Sequence, residues 1–272
     1  MSRFPTCYCT KEYEARSSMR VFTHGILFVL GVATSFGVTA ELGRIVIPAR
    51  SSTQAANAGL QKLSGRNGLL YVPMGHAGPL PLLILLHKSG GSPKEWFSGG
   101  ESFAPYAEKG RFIILAPESP GLSWGTGPKN WGYDNVAINR ALEEVFVRCP
   151  IDRNHLAIGG FSDGASFALS LGLANGDIFG YVIAFSPGFI VKAHARGRLG
   201  NNNEVQIPLV YIAHGTGDNV LPIASTSRIF ASSLRKNGYK VELHEFSGSH
   251  HLSRQVADQA MAWLTAAFQQ HR

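Results

Sequence analysis

Cysteine is scarce in this chain. Of 272 residues three are cysteines, Cys7, Cys9 and Cys149. Two lie in the first ten positions, so a disulfide framework for the body of the chain is excluded. Cys149, where a helix ends at Pro150, reads as a buried structural thiol. No C-x-x-C pair and no histidine spacing suited to a metal is present, and the only adjacent pair is His250-His251. Neither a metal nor a cofactor is expected. Charged residues make up 16% against 44% hydrophobic, which excludes a disordered chain. The formal charge of +7 is spread out, and the only basic cluster is Lys192-Ala193-His194-Ala195-Arg196-Gly197-Arg198. Such a short run reads as a solvated loop, and no nucleic-acid motif accompanies it. Internal repeats are absent.

Long apolar runs are missing too, except near the start. Arg16 and Arg20 precede an apolar stretch from Val21 to Val38, and Val38-Thr39-Ala40 offers the small residues a signal peptidase reads. Residues 1–40 are therefore expected to be a leader for export to the periplasm or beyond. An uncleaved membrane anchor is the alternative, and any membrane contact is confined to this segment. Residues 41–67 read as a linker, polar from roughly Ala49 to Asn67, leaving 68–272 as one domain with a sizeable core.

That domain alternates short apolar runs with amphipathic ones. Strands are expected at Leu69–Val72, Leu82–Leu86, Phe112–Ala116, His155–Gly159, Tyr181–Phe185, Leu209–Ala213 and Val241–Phe246. Helices are expected at Ser102–Lys109, Asn135–Val147, Ala165–Asn175, Ser225–Asn237 and Arg254–Gln269. The pattern predicts the α/β class: a doubly wound, mostly parallel sheet with helices on both faces.

Gly160-Phe161-Ser162-Asp163-Gly164 stands between an apolar strand run and a helical run. With 31 glycines in the chain the pentapeptide alone means little. A strand–turn–helix setting gives it weight, because the turn lifts Ser162 clear of the backbone beside a helix N-terminus. Two more strands end in chemistry-bearing loops. Leu209–Ala213 leads to Asp218, and Val241–Phe246 leads to His250 and His251. A serine hydroxyl becomes a nucleophile once a histidine takes its proton, and a carboxylate must hold that histidine's tautomer. The order Ser, Asp, His along the chain fits a sheet-top arrangement of strand ends.

From about Gly68 to Trp263 the chain resembles the phospholipase/carboxylesterase and poly(3-hydroxyalkanoate)-depolymerase-like branch of the α/β-hydrolases. The matching pieces are Leu85-Leu86-His87-x-x-Gly90-Gly91, the Gly160 to Gly164 turn, His214-Gly215-Thr216-x-Asp218-x-Val220-Leu221-Pro222, and Phe246-x-Gly248-x-His250. The resemblance implies Ser162 as nucleophile, Asp218 as acid and His250 as base, with His251 the competitor for the last role. It implies an oxyanion hole from the backbone N–H groups of Ser89 and Asp163. It also implies hydrolysis of a small-molecule or polymeric carboxylic ester. A peptidase or thioesterase, or a binding module on the same fold, are the alternatives. One residue departs from the pattern: Lys88 stands where glycine is usual, and would be strained if that position needs φ > 0. Trp124, Trp131 and Phe189 are candidates for the substrate pocket, and packing into the core is the alternative for the tryptophans. His214 reads as structural.

Overall fold

The computed structural model describes residues 43–54, 56–125, 131–190, 198–199 and 205–270. The side chains of 131, 198–199 and 205–206 are outside that description. The expected leader, the basic cluster as far as Gly197, and the side chains of Arg198 and Trp131 therefore lie outside the described residues. No helix among the described residues is long and apolar enough to cross a membrane.

The strands are β1 (Gly59–Lys62), β2 (Gly68–Val72), β3 (Leu80–Leu86), β4 (Ile113–Pro117), β5 (Ile151–Phe161), β6 (Tyr181–Phe185), β7 (Arg198–Leu199), β8 (Val205–Gln206), β9 (Leu209–Gly215) and β10 (Val241–Phe246). The helices are α1 (Ala104–Gly110), α2 (Trp131–Arg148), α3 (Asp163–Ala174), α4 (Ser227–Lys236) and α5 (Arg254–Gln270). Eight strands form one sheet in the order β1-β2-β4-β3-β5-β6-β9-β10, while β7 and β8 pair as a small hairpin. β1 and β2 run antiparallel at one edge, and the pairings from β4 to β10 are parallel.

The all-apolar β3, Leu-Pro-Leu-Leu-Ile-Leu-Leu, is explained by burial on both faces. Leu82, Ile84 and Leu86 join a core with Ile138, Leu142 and Phe146 of α2 and Phe167 and Leu171 of α3. Leu83 and Leu85 face the opposite core, with Ala107 of α1 and Met261, Leu264 and Phe268 of α5. Every apolar residue of the strand is used because side chains alternate between two packed layers.

The seven expected strands and five expected helices are present, with ends shifted by a few residues. The expected linker differs. Within it, Gly59–Lys62 pairs with β2, and the turn is closed by Leu63 N–H donating to Gly68 O at 3.0 Å. Further upstream, Ile45 is buried in the α2–α3 core. Its N–H donates to Asn175 Oδ1 at 2.9 Å, while Asn175 Nδ2 donates to Gly43 O at 2.7 Å. Arg44 forks onto the Asp177 carboxylate at 2.6 and 2.5 Å. These ties run largely through backbone groups and side-chain amides, and the short Ile45–Ile47 run is too brief an apolar pattern to announce them.

Candidate active site

Ser162 sits between the end of β5 and the start of α3 with φ 57° and ψ −116°, a conformation unfavourable for a side-chain-bearing residue. The surroundings hold it there. Its N–H donates to Phe185 O at 2.9 Å, and its carbonyl accepts from Ser166 N at 3.0 Å. The glycines of the turn are required by space. A Cβ on Gly164 would lie 2.3 Å from Leu86 O, and one on Gly160 2.6 Å from the Gly164 carbonyl. The helix thus packs hard against β3, and its N-terminal dipole points at the Ser162 hydroxyl.

Asp218 follows β9 and His250 follows β10. The two loops are stitched together, Thr216 N–H donating to Phe246 O at 2.8 Å and Gly217 N–H to Gly248 O at 2.9 Å. Gly215 permits the approach, since a Cβ there would meet Gly248 O at 2.4 Å. The result is a continuous line. Asp218 Oδ2 lies 2.6 Å from His250 Nδ1, and His250 Nε2 lies 2.9 Å from Ser162 Oγ.

Burial alone would push the Asp218 carboxyl up. Hydrogen bonds from Leu221 N–H, from His250 and from Val220 N–H outweigh it and hold the group below its ordinary value. It is a carboxylate at neutral pH, able to accept the His250 Nδ1–H and leave Nε2 free to accept a proton. His251 points elsewhere. Its Nε2 is 3.5 Å from Glu101 Oε1, and its side chain is 60% exposed.

The His87–Gly91 loop follows β3, as expected. Lys88 carries no strain: among the described residues the non-glycine positive φ values belong to Arg111, Ser162 and Ser186. The left-handed position falls two residues later, on Gly90 at φ 67°. Lys88 extends to Glu95, Nζ to Oε2 2.9 Å, in a partly exposed pair. The loop is fastened to the segment 119–125. Gly90 N–H and Ser89 Oγ–H both donate to Leu122 O, at 2.6 and 3.2 Å. Asp163, which opens α3, has an N–H in the first turn, where no intrahelical acceptor exists.

The pocket candidates separate. Trp124 is fully buried: it stacks on Phe167, and its indole N–H donates to His87 O at 2.8 Å. Its side chain packs in the core and props the loop after β3. Phe189 is half-buried on the loop after β6, whose Gly188 N–H donates to Ser166 Oγ at 2.8 Å.

Sequence reasoning did not foresee three sets of contacts. Asp134 of α2 accepts from Gly125 N–H at 2.6 Å. The Asp163 carboxylate accepts from Trp124 N–H at 2.6 Å and Ser123 Oγ–H at 2.8 Å. Phe161 stacks on the His250 ring. Asp134 and Asp163 each carried a readable signal, an acid in the first turn of a helix. No cluster able to hold a metal ion occurs among the described residues.

The chain is similar to several known proteins. The sequence model of the phospholipase/carboxylesterase family matches residues 136–266. A Bacillus cereus carboxylesterase superposes with a TM-score of 0.56 at 20% identity, over 73% of this chain and 92% of its own. The chain has the α/β-hydrolase fold. Among curated relatives, an acetylxylan esterase of Coprinopsis cinerea is 26% identical over 141 residues, 49% of this chain and 37% of the relative. A feruloyl esterase B of Thermothelomyces thermophilus is 28% identical over 117 residues, 40% of each. The matched stretch spans well under half the length of either relative.

Proposed function

We propose that this chain is a serine hydrolase that cleaves carboxylic esters through an acyl-enzyme on Ser162. The observation that carries the reading is the unbroken line from Asp218 through His250 to the Ser162 hydroxyl. His250 Nε2 takes the Ser162 proton as Oγ bonds to the ester carbonyl carbon. The carbonyl π electrons move to oxygen, and the backbone N–H groups of Ser89 and Asp163 receive that oxyanion at the mouth of α3. When the intermediate collapses, the carbon–alkoxide bond breaks and His250 returns its proton to the departing alcohol. A water molecule, deprotonated by His250 in turn, attacks the acyl-enzyme. Collapse of that intermediate releases the acid and restores Ser162.

The names of the relatives guide the choice of substrates. Acetylated sugar polymers and hydroxycinnamoyl esters are both esters of a modest acyl group on a carbohydrate hydroxyl. We place the natural substrate in that class, small or polymeric. A fluorophosphonate probe should label the parent protein at Ser162 and leave Ser162→Ala unlabelled. p-Nitrophenyl esters of increasing chain length, alongside p-nitrophenyl ferulate, then report the acyl preference. A protein that resists the probe and hydrolyses no ester has an unactivated serine, and the binding-module alternative takes over. Faster turnover of a matched thioester or peptide would replace the ester reading with one of those classes.

A further inference from the structure

His214 is the penultimate residue of β9, four residues before Asp218, and its ring is fully buried. Its Nε2 lies 2.8 Å from Leu221 O and 3.1 Å from Asp218 Oδ2. Its Nδ1 lies 2.7 Å from the hydroxyl of Ser227, the first residue of α4. A carbonyl and a carboxylate only accept, so Nε2 carries the hydrogen and Nδ1 accepts from Ser227. Burial lowers the pKa of this ring more than Leu221 and Asp218 raise it, so the imidazole stays neutral. The charged and titratable groups around it are Asp218, His250, and Glu245, its register partner on β10, which is paired with Arg228 of α4 at 2.6 Å.

Asp218 is thereby gripped on all sides. Oδ1 accepts the N–H groups of Val220 and Leu221, at 2.9 and 2.8 Å. Oδ2 faces His250 Nδ1 at 2.6 Å and His214 Nε2 at 3.1 Å. The torsion that turns a carboxylate about its last bond is soft, and no rotamer well fixes it. Neighbours have to fix it instead. The His214 N–H reaches both the carboxylate and the Leu221 carbonyl, and the Leu221 N–H returns to the same carboxylate, so one ring closes the loop 218–221 on itself.

We propose that His214 is a positioning residue for the ester cleavage described above: a neutral imidazole, oriented by Ser227, that keeps Asp218 Oδ2 on His250 Nδ1. This rests on the reading of Asp218 as the acid. A misplaced acid leaves His250 free to rotate, and small displacements of a catalytic group cost up to about a hundredfold.

The test compares His214→Leu with His214→Gln, whose amide N–H reaches about as far as Nε2. His214→Leu should lower kcat about 10- to 100-fold with KM within about threefold. His214→Gln should restore most of kcat. The low-field proton resonance of His250 Nδ1–H should weaken or shift in the leucine variant and return in the glutamine one. If His214→Leu fails to fold, Ser227→Ala is the substitute. It frees the ring to turn and should lower kcat several-fold at unchanged KM. Asp218→Asn runs in parallel. Full activity in Asp218→Asn sinks the triad reading and this inference with it. Loss of activity there, with kcat intact in a folded His214→Leu or in Ser227→Ala, overturns the positioning role alone. So does a glutamine variant as inactive as the leucine one, since that marks a packing effect.

Discussion

The ring of Phe161 lies against that of His250, centroids 5.0 Å apart and planes 29° from parallel. Phe161 is the residue before Ser162, so the strand end that carries the candidate nucleophile also braces the candidate base. The bracing applies to one of two neighbouring histidines. We expect His250→Ala to lose ester hydrolysis by about three orders of magnitude or more. His251→Ala, whose parent ring faces Glu101, should keep more than about half. The two variants, purified and assayed side by side at matched Tm, decide between the histidines, and a reversed result would make His251 the base.

Ser162→Ala should be equally inactive while remaining folded, because alanine keeps the Cβ and removes only the hydroxyl. Circular dichroism and a thermal melt close to the parent's should accompany loss of turnover by about three orders of magnitude or more. Residual hydrolysis above about a tenth of the parent is incompatible with a covalent role.

Trp124→Phe separates packing from substrate contact. The substitution keeps an aromatic ring and deletes the N–H that satisfies His87 O. An unsatisfied buried carbonyl costs about 1–3 kcal/mol, so the melting temperature should fall. The ranking of p-nitrophenyl esters by chain length should not change. A changed ranking with an unchanged Tm would return Trp124 to the pocket.

Asp134 supplies a pH signature. Burial raises its carboxyl above the ordinary 3.8, opposed by the Gly125 N–H and Ser119 hydroxyl, and the nearby Asp163 adds to the rise. A folded-state pKa above the unfolded one contributes stability at low pH that is lost as pH rises through the folded value. Asp134→Asn keeps an oxygen for the Gly125 N–H and removes the charge. Its Tm should equal or exceed the parent's at about pH 7, and the gap should close as pH falls towards about 4. A variant less stable than the parent at neutral pH would mean that the carboxylate charge is favoured where it stands.

The sheet and the three candidate site residues were legible for one reason. A parallel sheet buried on both faces writes each strand as a short apolar run, and Ser162, Asp218 and His250 all lie just beyond such runs. What the sequence hid was held by polar contacts. β1 has one apolar side chain in Gly-Leu-Gln-Lys, and that residue, Leu60, is exposed. It is a strand because β2 offers a hydrogen-bonding edge. Lys88 looked strained because a glycine was expected there, while the left-handed turn is taken by Gly90. The part played by Asp163 depends on loop 119–125 folding back over it, which no local pattern encodes. His214 lies in β9 and Asp218 in the loop after it, and only the structure shows the ring reaching the carboxylate.

The ties at Gly43, Arg44 and Ile45 have a mechanical meaning. A pull on the chain ahead of Gly43 does not reach the sheet first. It loads the Arg44–Asp177 fork and the two hydrogen bonds of Asn175, the residue that caps the C-terminal end of α3. Twelve residues away, about 18 Å along the helix axis, the same helix begins beside Ser162. Any tether on that side of the molecule therefore hauls on the far end of the rod that positions the serine turn.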